Sequence, residues 1–128
     1  MNPTLRHITF DYTGEPYELA RWWSDFLGRQ ISDTDEPGDN EVLIELPAGA
    51  PGLLFIRTGD PKKTNNRLHF ALAPAGRTRS EEVERAVALG ARVEAGVHAT
   101  AARTVLQNQQ REEMRAAMST VLAGVTIT

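Results

Sequence analysis

Apolar and polar positions along the chain follow two periods, and the elements they predict recur in a fixed order. Residues 5–10 alternate, with Ile8 and Phe10 on one side and Leu5, His7 and Thr9 on the other. That pattern predicts a strand with one core-facing side. If Ile8 and Phe10 pack inward, His7 looks out of the opposite face. Tyr12-Thr13-Gly14-Glu15 reads as a turn, and Pro16 suits the first position of a helix, where its missing N–H costs nothing. Leu19, Ala20, Trp23, Phe26 and Leu27 recur at helical spacing, so a helix should run to about Phe26. Gly28 is placed to end it in a left-handed cap. Strands are expected over 30–34 and 41–46, separated by the turn-forming residues 35–40, and 47–52 reads as a loop. Leu53-Leu54-Phe55-Ile56-Arg57 is almost continuously apolar and predicts a largely buried strand.

The same order then repeats. After a polar connector at 58–66, Arg67-Leu68-His69-Phe70-Ala71-Leu72 resembles Arg6-His7-Ile8-Thr9-Phe10-Asp11. His69 follows His7 by 62 positions, Leu89-Gly90 follows Leu27-Gly28 by 62, and Val93 follows Ile31 by 62. Three landmarks at one offset indicate two copies of one supersecondary unit. Ser80 is the expected N-cap of the second helix, with Glu81 and Glu82 in its first turn and Val83, Ala86, Val87 and Leu89 as its stripe. Strands are expected over 92–95 and 103–106, with a loose Ala-rich segment between them. The tail breaks the pattern. The repeat calls for a strand near 115–117, whereas Met114, Ala117, Met118, Val121 and Leu122 have helical spacing between a capping Asn108 and a terminating Gly124. Propensity is a weak guide taken alone. Here it agrees with periodicity, so a helix is expected over 108 to about 122.

Composition excludes several classes. The 128 residues are 41% hydrophobic and 24% charged, near the average for a globular domain. A net charge of −3 gives no polyanion signal, and Lys62-Lys63 with Arg67 is too short a basic cluster to indicate nucleic acid. There is no cysteine, so disulfides and thiolate metal sites are impossible. No apolar run reaches membrane-spanning length and the N-terminus has no signal-peptide pattern, which together suggest a cytoplasmic protein.

Taken together, Ile8-Thr9-Phe10-Asp11, Leu19-Ala20-Arg21-Trp22-Trp23 closing on Leu27-Gly28, Leu53-Leu54-Phe55-Ile56-Arg57, Asp60-Pro61-Lys62 leading into Asn66-Arg67-Leu68-His69, and Val83-Glu84-Arg85 closing on Leu89-Gly90-Ala91 resemble the glyoxalase-like branch of the vicinal oxygen chelate superfamily. The likeness spans about residues 5–106. It implies an α+β fold: two β-α-β-β-β modules (5–57 and 67–106) in one domain, with a curled, cup-like mixed sheet around a small-molecule ligand, often in a homodimer. Members include divalent-metal lyases, isomerases and ring-cleaving dioxygenases, and metal-free drug-binding resistance proteins. The departure is the tail at 107–128. The family's aspartate-proline-x-glycine-asparagine turn is replaced by Asn108-Gln109-Gln110-Arg111-Glu112.

The resemblance puts His7 and His69 at equivalent places in the cup, where metal-using members bind a divalent ion with a glutamate from the last strand. A gapless alignment puts Arg115 at that glutamate's position, and Leu53 at its counterpart in module one. Two histidines fall short of the three protein ligands usual at a catalytic zinc, and a guanidinium nearby opposes a dication. The expected pocket is therefore lined by His7, His69, Phe55 and Arg115, holds no metal, and serves a binding or sequestration protein. Two alternatives stand beside it: a zinc, nickel or manganese lyase or isomerase using His7 and His69, and a structural dimer whose site is lost. Trp22 and Trp23 are read as core rather than ligand groups. Glu41 and Glu45 share a strand face, where an acid–base pair competes with a plain solvated surface. His98, near Thr100 and Arg103, is either a lid group or a surface residue. No nucleophile elbow, phosphate loop or dinucleotide fingerprint is present.

Overall fold

A computed structural model of the chain describes residues 1–60, 70–94, 104–108 and 125–127. The chain divides into two compact units, Met1–Pro61 and Lys62–Thr128. Both mix helix and sheet, and neither sheet closes on itself.

In the first unit, β1 (His7–Tyr12) precedes α1 (Pro16–Leu27), β2 (Glu41–Ile44) and β3 (Gly52–Arg57). The sheet order is β1-β3-β2, with β1 parallel to β3 and β2 antiparallel to it. A parallel neighbour requires a crossover, and the chain between β1 and β3 contains α1, which packs on β2 and β3. The alternation expected for the first strand is present but runs two residues further, through Tyr12. Ile8 is half-buried, Phe10 and Tyr12 are buried, and Thr9 and Asp11 on the other side are exposed. Tyr12 therefore belongs to the strand and not to the turn. Its ring folds against Gly14, where a Cβ would lie 2.6 Å from the phenol oxygen, so only glycine leaves room.

Helix α1 begins at Pro16 and ends at Gly28, which takes the left-handed conformation (φ 64°, ψ 37°) and donates its N–H to the Ser24 carbonyl, as expected. Leu19, Ala20, Trp22, Trp23 and Phe26 are buried. Trp22 lies 5.1 Å from both Trp23 and Phe26 between ring centroids, so both tryptophans are core residues. They close over Phe10, Val42, Ile44, Leu53 and Phe55, each side chain contributing roughly 1.5–3 kcal/mol through burial. Glu15 caps no helix N–H with its side chain. Its carboxylate instead pairs with Arg57 at 2.9 Å and accepts the Gly38 N–H at 3.2 Å, tying the helix start to the end of β3 and to the 36–39 turn.

The strand expected over 30–34 contracts to one bridge, Ile31 opposite Ile44. The cause is Asp35, whose carboxylate accepts the Leu43 N–H at 2.8 Å, while its own N–H donates to the Ser32 carbonyl at 3.0 Å. A side chain thus replaces the ladder partner that would have carried the strand further.

In the second unit, β4 (Phe70–Leu72), α2 (Arg79–Ala88), β5 (Ala91–Glu94), β6 (Thr104–Asn108) and β7 (Val125–Ile127) form a sheet of order β4-β7-β6-β5. β7 is parallel to β4 and antiparallel to β6. The cap of α2 is Thr78, not Ser80. Its hydroxyl accepts the Glu81 N–H at 3.2 Å, and the Glu81 carboxylate accepts the Thr78 N–H at 2.8 Å, forming a capping box. The expected apolar stripe is only partly realised. Ala86 is buried and Val83 half-buried, but Val87 and Leu89 are 46% and 37% exposed. Glu82 is buried instead, neutralised by Arg85 at 2.6 Å and Arg77 at 3.5 Å. Asn108, expected as a helix cap, is the last residue of β6 and pairs with Ala91. The rest of the expected tail helix, and the alternative strand at 115–117, lie outside the described residues. A closing strand, β7, is present at 125–127, beyond the expected helix.

Candidate functional site

Register decides which side chains share a face with His7. β1 and β3 run parallel with His7 opposite Gly52, Thr9 opposite Leu54 and Asp11 opposite Ile56. β2 sets Leu43 opposite Leu54 and Glu41 opposite Ile56. Directly paired residues point the same way, so one face carries His7, Thr9 and Asp11, then Gly52, Leu54 and Ile56, then Glu41 and Leu43. Continuing the alternation places Glu45 in the row of Gly52 and His7. The helix α1 covers the other face.

This face is half apolar. His7, Leu43, Leu54 and Ile56 are half-buried, while Thr9, Asp11, Glu41 and Glu45 are exposed. Gly52 is the close approach. A Cβ there would meet Leu43 Cδ1 at 3.0 Å, the Ile44 carbonyl at 3.1 Å and His7 Cδ2 at 3.2 Å. The absent side chain lets the imidazole lie over the backbone of β3. The Gly52 N–H donates to the Arg6 carbonyl at 2.9 Å, which fixes that row.

Phe55 does not join this group. It is fully buried on the helix-covered face, stacked on Phe10 with centroids 5.4 Å apart and planes 20° apart. It fills the core and cannot line a pocket with His7. Leu53, the module-one counterpart of the expected ligand position, also faces the core, at 3% exposure. The residues of this strand that do face His7 are Gly52, Leu54 and Ile56. Sequence reasoning misses them because all of 53–56 is apolar and Gly52 reads as loop. The available signal was position: the strand had to pair with β1, and that pairing fixes the face. His69, Arg115, His98, Thr100 and Arg103 lie outside the described residues. Glu41 and Glu45 fall on one face, as expected.

One titration is displaced in this unit. The Tyr12 phenol is pushed up to about 12 by its burial, with the Glu18 and Glu15 carboxylates adding to the rise. Its Oη has no hydrogen-bond partner among the described residues. It sits on the helix side of the sheet and so takes no part in the His7 face. No group of three His, Asp or Glu side chains able to hold a metal occurs among the described residues. No described helix is long and apolar enough to cross a membrane.

The open sheets and the parallel pairing of first and last strands define a recognisable class of domain. The family model for the glyoxalase-like domain matches residues 7–115, and the chain belongs to that family, within the glyoxalase/bleomycin resistance/dioxygenase superfamily. Solved structures of the same fold include the fosfomycin resistance protein FosX from Listeria monocytogenes, a glutamate-to-glutamine mutant complexed with Mn(II) and 1S,2S-dihydroxypropylphosphonic acid. It has a TM-score of 0.63 and 15% identity, over 99% of this chain and 90% of that one. FosX from Mesorhizobium loti gives 0.60 and 14%, over 99% and 91%. A glyoxalase/bleomycin resistance protein/dioxygenase family enzyme from Burkholderia phytofirmans gives 0.61 and 12%, over 98% and 95%. At these identities the likeness is one of fold. No curated protein matches the sequence.

Proposed function

We propose that this protein binds a small organic molecule without a resident metal, as a homodimer, using the His7 face of its first unit. The observation that carries the reading is the character of that face. It sets a half-buried imidazole over a glycine, with Leu43 and Leu54 in the next row and Ile56 in the row beyond, none of whose side chains can ligate a metal. A sheet face meant only for water would alternate to polar residues. Among the described residues Glu45 is the one carboxylate in the row of His7, and one imidazole with one carboxylate falls short of the usual donor set of a catalytic metal. His7 would then act as a hydrogen-bonding group to the ligand. The two-module reading belongs to the same proposal. It is supported by strand order, since in each unit the first strand lies parallel beside the last, and the last is antiparallel to the strand before it.

The test is elemental analysis of protein purified without a histidine tag, followed by titration with zinc, nickel and manganese. The expected result is substoichiometric metal and no saturable binding. Near-stoichiometric metal that is lost in His69→Ala would overturn the reading in favour of a divalent-metal lyase or isomerase using His7 and His69. That second reading is favoured by the Mn(II) complex of a protein with this fold. A thermal-shift screen then separates a binder from a structural dimer with a lost site, because a ligand selective for the native state raises Tm.

A further inference from the structure

The packing over Gly52 shows how His7 is held, and the inference rests on the reading of His7 as the ligand's hydrogen-bonding group. Gly52 is buried, although it lies on the face that α1 does not cover. Two side chains close over it. A Cβ at this position would meet Leu43 Cδ1, from β2, at 3.0 Å and His7 Cδ2, from β1, at 3.2 Å. The Ile44 carbonyl would lie at 3.1 Å. All three distances are shorter than ordinary van der Waals contact, so a side chain at 52 would have to displace its neighbours. Backbone geometry holds the row in place: His7 is in register with Gly52, and the Gly52 N–H donates to the Arg6 carbonyl at 2.9 Å. The imidazole makes this contact through one edge. Cδ2 is the ring atom against Gly52, so the Nδ1–Cε1 edge, across the five-membered ring from it, is turned away from β3.

We propose that Gly52 is the positioning residue of this face. By carrying no side chain it lets His7 and Leu43 close over β3 from either side. That packing fixes the imidazole with its Cδ2 edge down and leaves the Nδ1–Cε1 edge as the one a ligand meets. Leu43 is the second member of the device, because it bounds the space over the glycine from the side opposite His7.

The experiment is proton relaxation of the full chain in the presence of a neutral, soluble gadolinium chelate, which speeds the relaxation of protons it can approach. The His7 Hδ2 and Hε1 signals are identified by their loss in His7→Gln. In the wild type Hε1 is expected to be relaxed at least about threefold more strongly than Hδ2, since an edge in van der Waals contact admits no probe on that side. The ratio should fall below about twofold in Gly52→Ala and approach about one in Gly52→Val, as each added carbon pushes the ring off β3. Leu43→Ala opens the glycine from the other side without adding bulk, and it too should lower the ratio, which covers the case in which the Gly52 variants do not fold. Ile56→Ala, on the same face but two rows away, should leave the ratio within about 20% of wild type. Equal relaxation of the two protons in the wild type overturns the assignment. So does an unchanged ratio in Leu43→Ala, or in Gly52→Val that retains its buried-tryptophan fluorescence. None of these readouts needs a ligand. A ligand screen that finds no binder for a protein with the expected ratio defeats the binding reading alone and leaves the positioning role of Gly52 in place.

Discussion

Truncating Phe55 separates a core role from a pocket role. The ring is fully buried, stacked on Phe10 at 5.4 Å, and opposite Val42 in the β2–β3 register. Phe→Ala at such a site removes the transfer free energy of the ring and leaves a cavity, which costs about 3–5 kcal/mol. In a domain of this size each kcal/mol lowers Tm by roughly 3–5 °C, so Phe55→Ala should melt about 10–20 °C lower. The neighbouring Leu54→Ala is the control. Leu54 is half-buried on the opposite face, so its truncation should cost only about 1–2 kcal/mol, below the range for a leucine deep in a core. The assay is urea unfolding followed by tryptophan fluorescence, since Trp22 and Trp23 are both buried in the same unit and report its unfolding. A loss below about 1 kcal/mol in Phe55→Ala, or one no greater than in Leu54→Ala, would refute the assignment of faces and return Phe55 to the pocket.

Tyr12 should make stability fall at alkaline pH. Its folded-state pKa, about 12, lies above the unfolded value of 10.0, so the stabilisation is complete below pH 10 and is lost as pH rises toward 12. Tyr12→Phe should remove that alkaline loss in urea melts, and a wild-type curve flat across this window would contradict it. Thr78→Ala should cost about 1 kcal/mol by removing the cap of α2, with Ser80→Ala nearly neutral, and thermal melts would expose a reversal of that order. Deleting residues 125–128 should detach β4 from β6 and make the second unit protease-sensitive while the tryptophan signal of the first is retained. Light scattering at micromolar concentration should give twice the chain mass if the protein is a homodimer, and a stable monomer would remove that part of the proposal.

The elements with one apolar side were legible from sequence. Ile8 and Phe10 against His7 and Thr9 gave the faces of β1, and the α1 stripe with Gly28 gave the first helix and its end. What escaped depended on side chains that do backbone work or on charge pairs made by folding. Asp35 takes the Leu43 N–H and so cuts short a strand that β propensity supported. Glu82 is buried because Arg77 and Arg85 reach it, which a hydrophobic stripe cannot reveal. Thr78 and Glu81 did carry a readable signal, a Thr-x-x-Glu spacing, but Ser80 lay nearer the first apolar residue.

The misplacement of Phe55 has a different origin. In residues 53–56 both faces are apolar, so period-two alternation, the guide to sidedness within a strand, vanishes. Sidedness came only from the pairing of His7 with Gly52, a long-range contact. That ambiguity is itself informative about function. A strand whose second face looked only at water would have kept its polar alternation, as Thr9 and Asp11 do on β1. Leu54 and Ile56 did not, and Leu43 on β2 did not either. They lie outside the helix-side core, which is filled by Leu53, Phe55, Val42 and Ile44. Apolar side chains kept beside a half-buried imidazole, on the face the core does not use, are what a surface needs when it has something other than water to hold.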